Sequence, residues 1–302
     1  MPSSIKRLLF IDTNIWLDFY RSQNDAGIKL LAHVEAIKDQ VIVTYQLESE
    51  FKSNRQAVLR EGLSNLKPPA AVSRPNILAD AKTSAMISKN IRAAEKGVNA
   101  LKKRLQRVIS KPTVYDPVFK AAQRIFHRGS PIVLKRENPA RHVIRRKAFK
   151  RFLHGCPPRK RADTSFGDAF NWEWMIQCAI DQKAELVIVS RDTDYGVTLE
   201  KESFINDHLK QEFQERLSKK RKILLYDRLT TALKHFKISV TQAEEDAESA
   251  IVKAVPEAMS AARLMRDITP DREAITRWAE ILSKSLREHA AAPAPDDRND
   301  TL

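Results

Sequence analysis

The run Leu8-Leu9-Phe10-Ile11 stops abruptly at Asp12, followed by Thr13 and Asn14. Consecutive large apolar residues bounded by polar ones read as a strand buried on both faces, as in the centre of a parallel sheet. A carboxylate at the carboxyl end of such a strand stands where open α/β sheets bind their ligands. Buried there, it needs hydrogen bonds from the next turn or a bound cation, because an unpaired buried charge is costly. Asp12 alone leaves two readings open: a cap for the following helix, or a cation ligand.

Downstream, the same alternation continues. Ile28, Leu31, Val34 and Ile37 keep a helical spacing, and Val41-Ile42-Val43 is a second β-branched run. Strand, helix, strand is the start of a doubly wound α/β fold. His33, within that helix, reads as structural. The next helix begins near Gln46 and carries Glu48 and Glu50, which point to different faces; Glu50 is the one expected in a first turn facing the end of the first strand. Leu186 to Val189 is a third buried strand, again running into a hydroxyl and acids: Ser190, Asp192 and Asp194. Ile223 to Tyr226 reads as a last strand, with a helix over Leu229 to Phe236 behind it. Gly167 opens another helix. Asp168 lies in its first turn, where the helix dipole favours a negative charge, and Trp172 follows one turn on. Glu173 and Asp181 read as solvated.

Between about residues 68 and 160 the composition changes. Pro68 and Pro69 break a helix, and residues 79–109 are Lys- and Arg-rich with an amphipathic spacing. This segment reads as a helical insertion on the rim of the sheet. Its last part is the most basic: Arg141, Arg145, Arg146, Lys147, Lys150, Arg151, Arg159, Lys160 and Arg161 occur with no acid among them. Such a run is an electrostatic footprint for phosphates. Phe149, Phe152 and His154 are scattered within it; such aromatics could stack on bases, with core packing the preferred reading of Phe149 and Phe152. The formal net charge of +15 and pI of about 9.8 also point to a polyanionic partner. Residues 1–238 are therefore expected to form the α/β domain. Residues 239–289 read as a helical extension, with periodicity through Leu264 and around Trp278 to Leu286. Residues 290–302 read as a disordered tail.

No apolar run approaches the ~18 residues a membrane-spanning helix needs. The first strand starts within seven residues of Met1, which leaves no room for a signal peptide. Cys156 and Cys178 are too few for a disulfide framework. A cytoplasmic location is the expectation.

On one rim of a doubly wound sheet, Asp12, Glu50, Asp168 and Asp192 converge. Carboxylates so gathered repel one another, and a divalent cation with oxygen ligands relieves that repulsion. Mg²⁺ or Mn²⁺ fits an all-carboxylate set and suits phosphodiester hydrolysis. Neither a Cys/His pattern for zinc nor a Gly-rich phosphate loop is present.

The order Phe10-Ile11-Asp12-Thr13-Asn14, an acid in the second helix, Gly167-Asp168-Ala169 with Trp172, then Val189-Ser190-Arg191-Asp192-Thr193-Asp194-Tyr195 resembles the PIN domain. Glu50-Phe51-Lys52 with Asn54-Arg55 resembles a branch with a helical insert met in bacterial genomes. The resemblance covers about residues 6–66 and 160–238. It implies a PIN-like three-layer sandwich with a central parallel sheet, and a Mg²⁺- or Mn²⁺-dependent nuclease, endoribonuclease foremost. It carries metal-binding roles to Asp12, Glu50, Asp168 and Asp192, with Asp194 auxiliary. Asn14 and Ser190 would match polar residues that steady the ligands, and Asp163 an outer acid. RNA is the expected partner. A DNA-cleaving enzyme, a catalytically silent nucleic-acid-binding module, a homo-oligomer and an inhibitory protein partner stay open. A toxin or defence role would rest on analogy alone.

Overall fold

The axis of the molecule is β1 (Arg7–Ile11), whose Leu8, Leu9, Phe10 and Ile11 are completely buried. The computed structural model describes residues 5–22, 24–73, 75–78, 81–158, 166–200 and 202–253. Asp163, Arg159, Lys160 and Arg161, the periodicity beyond residue 253 and the tail lie outside the described residues.

From β1 the chain enters α1 (Thr13–Arg21) and α2 (Ala26–Ala36), then β2 (Val41–Thr44) and α3 (Tyr45–Asn65). Next come α4 (Lys82–Ser110), α5 (Pro112–Tyr115), α6 (Pro117–Phe126), β3 (Val133–Leu134) and α7 (Ala140–Leu153). The second half runs α8 (Gly167–Gln182), β4 (Glu185–Val189), β5 (Gly196–Leu199), β6 (Glu202–Ile205), α9 (Asp207–Arg216), β7 (Ile223–Tyr226) and α10 (Leu229–His235).

Five strands form a parallel sheet in the order β3-β2-β1-β4-β7, flanked by helices as an α/β sandwich. Wholly apolar runs form these strands because both of their faces are covered. Every strand face of β4 is buried, as is every residue of β2. The register pairs Ile11 with Val189 and Val189 with Tyr226, so β1, β4 and β7 end level. From β1 the chain moves first to one side of the sheet and later to the other. The crevice beyond the carboxyl ends of β1 and β4 is therefore the topological switch point. Trp16 locks α1 over it: the fully buried indole donates to the Ile11 carbonyl at 3.0 Å and packs edge-on against Phe51 and Phe126.

Several elements depart from the sequence reading. The insertion is not purely a helical projection. Its α6 buries Val118, Ala121, Ala122, Ile125 and Phe126 in the core, and β3 supplies an edge strand of the main sheet. A two-residue strand is too short for periodicity to reveal. β5 and β6 pair as an antiparallel hairpin in place of plain loop. Gly196 starts it because a Cβ there would come within 2.0 Å of the Phe204 carbonyl oxygen. The compact unit extends to Ile251. Within it, Glu248 accepts from the amides of Leu229 and Thr230, capping α10.

The insertion is fastened by two buried ion-pair networks. Asp116 binds Arg55 (Nη2 at 2.6 Å) and the Tyr20 hydroxyl (2.8 Å), while Arg55 also donates to the Val108 carbonyl. Arg151 on α7 donates to Glu173 on α8 at 3.0 Å and binds Glu212 on α9. Arg216 joins both glutamates at 3.0 and 2.8 Å. Two corrections follow. Glu173 is 4 % exposed, not solvated, and Arg151 is 8 % exposed and spent on this network, so it is not presented to phosphates. Burial of either charge is tolerable only because its partner is there.

Candidate active site at the switch point

Asp12 fills the first of the two roles that its sequence position left open. It is the N-cap of α1, with Oδ1 accepting from the Thr13 amide at 2.7 Å. Its Oδ2 accepts from Asn14 Nδ2 at 2.9 Å and from Ser190 Oγ at 2.5 Å. Ser190 stands just past β4, and its Oγ also accepts from the Asp192 amide at 3.0 Å. One hydroxyl thus links the ends of β1 and β4 across the switch point and sets the course of the chain towards Asp192.

Glu50 enters from α3. The helix starts at Tyr45, so Glu50 lies in its second turn; Glu48 occupies the first. Thr44 caps the helix, accepting from the Leu47 amide at 2.9 Å, and this cap fixes the helix start. Glu50 accepts from Thr13 Oγ1 at 2.9 Å and from Gln46 Nε2 at 2.8 Å. Glu48 is held elsewhere by Lys52 and His127, at 2.6 and 2.7 Å. Of the two glutamates, only Glu50 reaches the Asp12 turn. Asp168 sits in the first turn of α8, as its sequence position predicts. Asn171 on the same helix, fully buried, accepts from Thr44 Oγ1 at 2.5 Å and joins α8 to the end of β2.

The electrostatics reveal how these acids sit together. Burial, then the negative charge of Asp192 and more weakly Glu50, push the Asp12 carboxyl up to about 7, against hydrogen bonds from Ser190 and Thr13. Tyr195, completely buried, feels Asp168, Asp12, Asp192 and Glu50 at once; burial and these charges hold its hydroxyl well above its usual range. Its proton therefore stays on. Among the described residues, neither the Tyr195 hydroxyl nor the buried Asn14 Oδ1 has a hydrogen-bond partner. Asp194 lies between Asp192 and Tyr195 on the same turn.

A hard divalent cation fits this chemistry. Every donor is oxygen, the acids crowd one another, and Asn14 Oδ1 is a buried acceptor with no donor to it among the described residues. Among the described residues, no three His, Cys, Asp or Glu side chains stand close enough to hold an ion as they are. Sequence reasoning missed the bond from Thr13, read there as a cap, to Glu50, and it missed Gln46 and Tyr195. Thr13 and Gln46 act through hydroxyl and amide contacts that no periodicity marks. Tyr195 could have been noticed as an aromatic ending an acidic turn.

Of the basic run, Arg145, Arg146, Lys147 and Lys150 are exposed on α7 and Arg141 is half-buried. Phe149, expected in the core, is 51 % exposed. Among the described residues no helix is long and apolar enough to cross a membrane.

An all-parallel sheet with carboxylates gathered over its switch point defines a class of α/β protein that does its chemistry at the carboxyl edge. The family is narrower. A family model described as the PIN domain matches residues 9–138 and 130–195, and the chain belongs to the PIN domain family. The first match runs through α6 and β3, in line with their place in the core. PIN domains are generally nucleases, often ribonucleases, and typically use divalent metals. No curated protein and no solved structure matches the chain.

Proposed function

We propose that this protein is an endoribonuclease that hydrolyses RNA phosphodiester bonds at the β1–β4 crevice with Mg²⁺ or Mn²⁺. The observation that carries the reading is the crowding of Asp12. It is buried at the switch point, tied to Ser190, and faces Asp192 and Glu50, and its hydrogen-bond donors among the described residues are all neutral. In hydrolysis a water oxygen bonds to phosphorus, the phosphorus–oxygen bond to one sugar breaks, and the leaving oxygen takes up a proton. Bound here, the cation would supply a water of lowered pKa and offset charge on the phosphate.

Asp12, Glu50, Asp168 and Asp192 would hold that cation, with Asp194 auxiliary and Asp163 an outer acid. Asn14 and Ser190 orient Asp12, and Thr13 and Gln46 orient Glu50. Arg141, Arg145, Arg146, Lys147 and Lys150 would grip the phosphate backbone, joined by Arg159, Lys160 and Arg161. These positive charges offset the repulsion between an acidic crevice and a polyanion.

The test is digestion of single-stranded RNA, transfer RNA and DNA side by side, with Mg²⁺ or Mn²⁺. RNA cleavage that Asp12→Asn abolishes is the expected result. Cleavage of DNA alone would reassign the substrate. Absence of cleavage together with no calorimetric binding of Mn²⁺ at millimolar concentration would make the chain a silent binding module.

A further inference from the structure

The exposed face of α7 mixes two kinds of side chain that water does not normally see together. Arg145, Arg146, Lys147 and Lys150 give it one sign of charge. Phe149, among them, exposes 51 % of its surface. A large ring left in water in a row of cations invites an explanation, since nothing in the core requires it.

Its neighbours supply one. Phe149 meets Phe166 edge-on, with ring centroids 6.3 Å apart, and the Arg145 guanidinium lies over the Phe166 ring at 5.8 Å. Phe166 is the residue before α8, two positions from Asp168 in the candidate site. One turn further on, Phe170 meets Tyr45 edge-on at 5.0 Å, and Arg136 lies over the Tyr45 ring at 5.8 Å. Tyr45 opens α3, the helix that carries Glu50. Two clusters of rings with a guanidinium group thus stand beside the site, one where α7 meets the start of α8, the helix of Asp168, and one where α8 meets the start of α3, the helix of Glu50. The insertion cannot drift from this position, because buried Arg151 pins α7 to Glu173 on α8.

The geometry points to a base-stacking platform: Phe149, with Phe166 and Arg145, receives an unpaired base of a single-stranded nucleic acid as its phosphates run along α7 towards the acidic crevice. This deepens the proposed nuclease reading and rests on it for the polynucleotide. Base faces stack on aromatic rings and guanidinium planes, and the contact tolerates any sequence because every base has a π-face. In a duplex, bases are already stacked and paired, so a platform of this kind selects single strands.

Binding in EDTA tests the platform without any need for cleavage. The full-length chain is titrated against a fluorescently labelled single-stranded RNA 12-mer and a duplex of equal length, across a range of salt concentrations. Phe149→Ala should weaken single-strand binding tenfold or more, the equivalent of about 1.4 kcal/mol. Its salt slope should not change, because no phosphate contact is lost. Phe149→Tyr should restore binding, and duplex binding should move less than twofold. Arg146→Ala should instead lower the salt slope by about 0.7 for a single strand. Circular dichroism checks that each variant is folded. If Phe149→Ala binds the single strand within twofold of the unmodified chain, or weakens single strand and duplex alike, the platform is refuted. Phe149-dependent binding to vesicles containing phosphatidylserine, with no effect on RNA, would refute it in favour of a membrane surface. A chain that loses RNA affinity with Phe149→Ala yet cuts nothing keeps the platform and loses the nuclease reading. A chain that cuts RNA regardless of Phe149 loses the platform alone.

Discussion

Asp12 and Glu173 are each 4 % exposed, and they differ in what faces them. Glu173 meets two guanidinium groups, Arg151 at 3.0 Å and Arg216 at 3.0 Å. Asp12 meets an amide, a carboxamide and a hydroxyl, and beyond them the charges of Asp192 and Glu50. The chain has 53 lysines and arginines against 38 acids, so cations are in ample supply. Where a carboxylate serves the fold, between α7, α8 and α9, an arginine is laid against it. At the switch point Asp12 and Glu50 receive only neutral donors among the described residues, and such donors orient a carboxylate without cancelling its charge. The second arrangement costs stability and leaves room for an outside cation.

The widest gap between the two regions should appear in activity. Asp12→Asn is expected to lower RNA cleavage by about 10³-fold or more, measured in single-turnover assays, while the melting temperature stays level or rises. Retained cleavage would break the contrast. Arg151→Ala should do the opposite. It leaves Glu173 and Glu212 with fewer cations and should cost about 3–5 kcal/mol in urea unfolding. A loss under 1 kcal/mol would put the network among dispensable surface pairs.

A third difference lies in pH. The folded carboxyl of Asp12 is raised to about 7 from an ordinary 3.8. Between those values the folded chain binds a proton that the unfolded chain has released, so stability falls as pH rises through this window. Asp12→Asn should therefore gain about 1–3 kcal/mol on the unmodified chain from pH 4 to pH 7, and no more above it. A difference independent of pH, in metal-free thermal melts, would contradict the crowding. The smallest effect is expected at Tyr195. Its hydroxyl has no partner among the described residues, so Tyr195→Phe should change stability by less than about 1 kcal/mol. A larger loss would mean that the hydroxyl is bonded in solution.

Much of this was legible in the chain itself. Leu8–Ile11, Val41–Val43, Leu186–Val189 and Ile223–Tyr226 declare themselves because buried parallel strands need unbroken apolar runs. Asp12 and Asp192 follow from where those runs end, and Asp168 from the start of the helix at Gly167. Other features depend on residues far apart in sequence. Glu173 gives no local sign of its partner Arg151, 22 positions earlier. Phe149 resembles any core aromatic until the helix is placed and its ring turns out to face water. β3 is only two residues long and takes its meaning from its neighbour β2. Glu50, expected in a first turn, falls in the second because the Thr44 cap sets the helix start at Tyr45.

The Arg55–Asp116 clamp carries a further consequence. Residues 67–73 are exposed and outside any helix or strand, and they connect α3, which carries Arg55, to the segment that leads to Asp116. Arg55, Tyr20 and Asp116 join on both sides of that connection, and the β2–β3 ladder joins them again. Continuity of the polypeptide at residues 67–73 is thus redundant for cohesion. A protein nicked there would remain one particle under native conditions and part into two fragments only in denaturant.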